Sequence, residues 1–291
     1  MSQSPASSST ETATTDAETG VSERADAEKP ADLDTKDILT LDAPQYLQMS
    51  GAVQLFDQIF SAVGTVTDKV RLGIEDSGIA IRAADQQGHA MVDLRVAGSS
   101  FSSFDAATGT LGVDVGRVRD ALSIGNAGDL AQFALDPANS TLEINIDGIA
   151  RTIELDAIES LRYPVEMPDI DIPATVHLSP DDMSLGLSAA DMLGDRFDLT
   201  VDSEAGEMRF VASGDTDSMT YRRAKTDLIA FEPADVEVKL DSSLVKSANA
   251  GLPDGTNRVL RVGDEVPLVL KSEFPDADGA VQFVIAPKLP N

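Results

Sequence analysis

Asp68-Lys69-Val70-Arg71-Leu72-Gly73-Ile74-Glu75 alternates apolar and polar side chains, and Asp195-Arg196-Phe197-Asp198-Leu199-Thr200-Val201-Asp202 does so again. A period of two is the mark of a half-buried strand. Each octet follows a helical pattern, 49–63 in the first case and 180–193 in the second. Residues 236–240 with a helix over 242–250 repeat 111–115 with a helix over 117–124, and 281–285 take the place of 142–146. A repeat this long predicts two equivalent domains rather than a solenoid.

In the first helix, Ala52, Leu55, Phe56, Ile59 and Phe60 recur at helical spacing, with Ser50 as N-cap. Asp76-Ser77-Gly78 turns the 70–74 strand back into Ile79-Ala80-Ile81, and 91–96 is a further strand. Stretches 130–135, 142–146 and 150–155 read as a meander. Residues 156–173, DAIESLRYPVEMPDIDIP, hold three prolines and exceed the common loop range, so they form a connector. Residues 1–36 have Val21 and Leu33 as their only large apolar side chains beyond Met1, too little to offset ordering entropy, and are expected to be a disordered acidic tail. The expected division is 1–36 tail, 37–155 first domain, 156–173 connector and 174–291 second domain. Few helices and mostly antiparallel strands give an α+β class, with helices on one face of the sheets.

The 291 residues hold 50 Asp and Glu against 22 Lys and Arg, a net charge of −28. Arg outnumbers Lys, 14 to 8, and Cys is absent, which excludes a disulfide framework or a Cys-based zinc site. No run approaches 18 apolar residues, so no membrane span is expected. The first residues lack a basic and an apolar signal region, so a cytoplasmic address is expected. With 42% hydrophobic residues the chain can bury a core. Two readings fit the charge. In molar salt the Debye length is roughly 3 Å, self-repulsion costs little and carboxylates keep the surface hydrated, as a halophile needs. Alternatively, an acidic surface binds basic partners. The even spread of charge along the chain favours the first.

The sequence carries no G-x-S-x-G and no phosphate loop. His89 and His177 lie in different halves and read as structural or surface residues. Asp276-Ala277-Asp278-Gly279 reads as a hairpin turn rather than a calcium loop. Asp169 and Asp171 read as solvated connector charges. No cofactor, metal or catalytic residue is expected, although scattered Asp and Glu leave open a halophilic α+β enzyme with an acidic site.

Asp76-Ser77-Gly78-Ile79 with Asp85, Met91-Val92-Asp93-Leu94, and Phe210-Val211-Ala212-Ser213-Gly214-Asp215 share an order with Glu265-Val266-Pro267-Leu268-Val269 and Ile285-Ala286-Pro287-Lys288-Leu289. In this order they resemble the DNA sliding clamp family of archaea and eukaryotes, proliferating cell nuclear antigen, over about residues 40–289. Met167-Pro168-Asp169-Ile170-Asp171-Ile172-Pro173 is similar to that family's interdomain connector, especially in halophilic archaeal members. The resemblance implies the DNA clamp fold: two repeated domains with antiparallel sheets, and helices lining the central hole of a trimeric ring. It implies a homotrimeric, non-enzymatic processivity factor that encircles duplex DNA without reading sequence. Through short peptide motifs it would recruit DNA polymerase, clamp loader, ligase and nuclease-type partners. A divergent paralogue with a specialised role is the alternative within the fold.

By the same resemblance, helices near 49–63, 116–125, 180–193 and 242–250 line the hole. Lys69, Arg71, Arg117, Arg119, Arg196 and Lys246 are the DNA-channel cations. The partner groove is expected from His89, Val165, Met167, Ile170, Pro267, Val284, Ala286 and Pro287. The subunit interface is expected from edge strand 151–155 (Arg151, Ile153, Leu155) against edge strand 207–213 (Met208, Phe210, Ala212).

Overall fold

The computed structural model describes residues 35–167 and 169–288. A one-turn helix, α1 (Thr35–Ile38), comes first. The chain then runs β1 (Leu47–Ala52), α2 (Val53–Gly64), β2 (Lys69–Glu75), β3 (Gly78–Ala84), β4 (Ala90–Ala97), β5 (Ser103–Ala106), β6 (Gly109–Asp114), α3 (Val115–Leu122), β7 (Leu130–Asp136), β8 (Thr141–Ile146) and β9 (Ile149–Glu154). After the connector the same order returns. It comprises β10 (Ala174–Leu178), α4 (Pro180–Asp191), β11 (Arg196–Asp202), β12 (Glu207–Ser213), β13 (Ser218–Ala224), β14 (Ala230–Glu232), β15 (Val236–Asp241), α5 (Ser242–Gly251), β16 (Arg258–Val262), β17 (Leu268–Glu273) and β18 (Gly279–Ile285).

The sheets repeat as well. Order β5-β1-β7-β8-β9 in the first half is matched by β14-β10-β16-β17-β18 in the second. Order β6-β2-β3-β4 is matched by β15-β11-β12-β13. β18 then pairs with β4, from Gly279 opposite Val96 to Ile285 opposite Ala90, and fuses two of these sheets into one of nine strands. The other two sheets stay separate.

Alternation in the strands fills the core. Val70, Leu72 and Ile74 of β2 are buried, as are Phe197, Leu199 and Val201 of β11. α2 contributes Phe56, Ile59, Phe60 and Val63, and the Phe56 and Phe133 rings stand 4.3 Å apart. Each such ring stabilises the fold by roughly 1.5–3 kcal/mol through burial. α3 packs on α2, α2 on α5 and α5 on α4, so the four helices form one layer. Gly251 allows the middle contact, since a Cβ there would stand 3.2 Å from the Cα of Ala62 and 3.0 Å from the Phe283 ring.

Four expectations change. Of the expected tail, residues 1–34 lie outside the described residues, while Thr35 and Lys36 are helical in α1. The helix expected over 49–63 begins at Val53, with Ala52 as N-cap and no side-chain cap. Residues 47–52 are instead the strand between β5 and β7, whose ladders claim Met49 and Ser50. Third, α3 begins at Val115, because Asp114 accepts the Arg117 N–H and caps the helix there. Finally, the counterpart of 281–285 is β9, and that of 142–146 is β17.

Candidate interaction surfaces

The helix layer carries little positive charge. α3 holds Arg117, Arg119 and Asp120, α5 holds Lys246, α2 holds Asp57, and α4 holds Asp181, Asp182 and Asp191. Most candidate cations are paired. Lys246 Nζ lies 2.6 Å from Asp191 and depresses that carboxyl's pKa by donating to it. Arg117 is 3.9 Å from its helix-capping Asp114, Arg196 is 3.8 Å from Asp195, and Lys69 is 2.6 Å from Asp156. Arg119 is exposed and has no ion pair among the described residues. Pairs this exposed contribute little to stability.

Arg71 is a correction. The residue is 7% exposed, and its guanidinium donates to the carbonyls of Leu39, Ile158, Leu161 and Arg162, so it is unavailable to DNA. Alternation places it opposite the core-facing Val70 and Leu72, and α1 and the connector cover that side of the sheet.

The connector starts where Asp156 donates its N–H to Gly112 of β6. It crosses Arg71, and Arg162 donates to the Asp85 carbonyl at the end of β3. It ends with Ile172 and Pro173 packed near Gly263, beside Val266. A cleft of about 480 Å³ lies beside its first half, lined by residues that include Ala84, Gln86, Leu161, Arg162 and Tyr163. Sequence reasoning missed these residues. Val165, Met167 and Ile170 lie further along the connector and are half-buried.

The C-terminal stretch runs past the β3–β4 turn. Ala286 donates its N–H to the carbonyl of exposed His89, at 2.8 Å. Two residues later Lys288 donates its N–H to Lys239 and its Nζ to Asp241, at 2.7 and 2.8 Å. Ala286 and Pro287 are thereby tied at both ends. Burial pushes the Asp241 carboxyl up, but hydrogen bonds from Lys288, Ser243 and the Leu244 N–H outweigh it and hold the pKa at about 2. Val284 is 7% exposed yet lies outside the main core, opposite Met91, while Pro267 is half-buried.

The sheet edges also depart from expectation. β9, with Arg151 and Ile153, is an edge, and Leu155 follows its last residue. Residues 207–213 form β12, which is interior, paired with β11 on one side and β13 on the other. Met208, Phe210 and Ala212 are core residues. The outer strands of this sheet are β15 and β13, and β13, Ser218–Ala224, is the one beside β12. On β13, Arg223 and Tyr221 both donate to Asp182 of α4. Burial, reinforced by that hydrogen bond, pushes Tyr221 up to about 12.

A duplicated strand-helix order, with one helix layer backed by antiparallel sheets, is the architecture of the DNA clamp fold. No family model matches the chain. It is 32% identical over 232 residues to the DNA polymerase sliding clamp of Halobacterium salinarum, covering 80% of this chain and 94% of that one. It is 29% identical to that of Natronomonas pharaonis, over 78% of this chain and 92% of that one. Among solved structures, A. fulgidus PCNA, bound to the C-terminal region of FEN-1, superposes with a TM-score of 0.79 at 21% identity, covering 84% of this chain and 99% of that one. Thermococcus kodakaraensis PCNA gives 0.76 at 18%, covering 83% and 100%. The chain belongs to the DNA polymerase sliding clamp family.

Proposed function

We propose that three copies close into a ring around duplex DNA through β9 of one copy and β13 of the next. The observation that carries this is internal. β9 holds in its sheet the place that β18 holds in its own, and β13 holds the place of β4. β18 and β4 already pair within the chain. A head-to-tail contact of equivalent edges repeats that junction and, if it closes, makes a ring. Transferring the register sets Ile149 opposite Tyr221 and Ala150 opposite Thr220.

In this ring 37–155 and 174–291 act as the two clamp domains and 156–173 as their connector. The helix layer faces DNA, with Lys69, Arg117, Arg119, Arg196 and Lys246 as its nearest cations. The pairing of Lys69, Arg117, Arg196 and Lys246 with carboxylates suits retention by encirclement, because phosphate contacts lose strength steeply with salt. The ring works in the cytoplasm, catalyses nothing and needs no cofactor. Polymerase, clamp loader, ligase and nuclease partners dock by short peptides along Val165, Met167, Ile170, Pro267, Val284, Ala286 and Pro287, beside His89. The A. fulgidus structure, which holds a partner's C-terminal region, supports this. Processivity of a cognate polymerase on primed DNA in molar salt tests the reading. Longer products are expected with this protein, and unchanged product length would overturn it.

A further inference from the structure

α1 stands outside the repeated order of elements, yet it is firmly seated. Ile38 and Leu39 are wholly buried and Thr35 is 3% exposed, although none of the three belongs to the main apolar core. The seat is the face of β2, β3 and β6 that turns away from that core. A Cβ on Gly73 would stand 2.7 Å from Ile38 Cγ2 and 3.1 Å from Leu39 Cδ2, so the segment lies where only glycine admits it. Polar ties fix its backbone. Thr110 donates its hydroxyl to the Ile38 carbonyl and its N–H to Asp42, and Arg95 Nε donates to the Thr35 hydroxyl.

Arg71 joins this segment to the connector. Its Nη1 donates to Leu39 at 3.0 Å, its Nη2 to Ile158 at 2.8 Å and Leu161 at 3.3 Å, and its Nε to Arg162 at 3.2 Å. The Tyr163 ring lies 5.4 Å from the guanidinium. Lys36 also pairs with Glu166, between Val165 and Met167. A buried guanidinium stripped of acceptors costs far more than an exposed one. Release of either segment therefore leaves Arg71 short of carbonyls and weakens the hold on the other.

We propose that residues 35–41 are a clasp in cis that holds the connector against the sheet, coupled to it through Arg71. The clasp thereby sets the position of the partner-docking stretch 165–170. That second consequence rests on the docking reading above, while the clasp does not.

Amide hydrogen exchange in molar KCl tests it on the full chain. Two variants act from opposite sides of the contact: Ile38→Asp/Leu39→Asp undocks the segment, and Gly73→Ala crowds its seat. Amides at 158–163 should exchange at least about tenfold faster in the first variant, with β7–β9 unchanged, and faster to a lesser degree in the second. Exchange at 158–163 within about twofold of wild type, in a variant whose 38–41 amides have lost protection, would overturn the clasp. If the double variant does not fold, Gly73→Ala decides the matter by the same comparison. Titration with a peptide bearing Gln and two adjacent aromatics, the docking motif that the family resemblance implies, separates the two readings. Weaker binding by the variants supports clasp control of docking, and equal binding refutes that control. A wild type that binds no such peptide refutes the docking reading and leaves the clasp to the exchange data.

Discussion

β18 and β4 join the two halves inside the chain, whereas β9 and β13, which hold the same places in their sheets, are left open. The closed junction is reinforced by Gln282 donating to Asp93, by Arg82 donating to Asp93, and by Ala286 and Lys288 tied down beyond the strand. The open edges carry side chains that a junction can use, including Ile149, 53% exposed on β9. In the proposed ring, one strand-pairing device serves as fold on one side and as assembly on the other, and the two differ in what breaking them costs.

Proline at matched positions separates these roles most sharply. Asp93→Pro, in a strand paired on both sides, removes ladder bonding inside the fold and should cost about 3 kcal/mol or more. Calorimetry should show a melting point lower by roughly 6 °C or more, or an unfolded chain. Thr220→Pro, at the equivalent place on the open edge, should leave the chain folded while light scattering falls from about three times 30.7 kDa toward a single copy. A trimeric Thr220→Pro protein would remove β13 from the interface.

Salt sharpens the same contrast. With a net charge of −28 per copy, lowering KCl from 3 M to 0.1 M lengthens the Debye screen from below 3 Å to roughly 10 Å. The open-edge contact between copies should fail first, and the melting point should then drop on the order of 10 °C or more. A flat melting point would contradict the halophile reading of the charge.

Acid probes the tie beyond the closed junction. The Asp241 carboxyl is held at about 2, below its ordinary value of 3.8, so its contribution is complete above pH 4 and lost as pH falls toward 2. That contribution is ~2 kcal/mol. Asp241→Asn should remove it at neutral pH and flatten acid unfolding between pH 4 and 2, as measured by circular dichroism. The smallest effect is expected at the helix layer. Lys246→Ala removes a cation already paired with Asp191, so the half-life of rings loaded on circular DNA should change less than about twofold.

Much of the fold is legible in the sequence because strand alternation is strong. Val70, Leu72 and Ile74, and their repeat at Phe197, Leu199 and Val201, can face only a core. Alternation reports one buried face, however, and says nothing of what lies beside a strand. Met208, Phe210 and Ala212 therefore read as an edge when β12 is interior, while the polar SMTYRRA of β13 gives the true edge no apolar signal. For the same reason alternation does not correct the resemblance, which implies that Arg71 is a DNA-channel cation. Its cover comes from segments 32 and about 90 residues away, a separation no local pattern records. At 49–52 the apolar spacing suits a helix equally well, and only the ladders to β5 and β7 decide it.

The ring through β9 and β13 is tested most directly by cross-linking, because the chain has no cysteine to interfere. Ala150→Cys combined with Thr220→Cys places two thiols opposite each other in the register carried over from the internal junction. On mild oxidation in molar KCl the double variant should give covalent species that stop at three copies, and neither single variant should. Products that remain single copies, or a ladder that extends past three, would contradict the account.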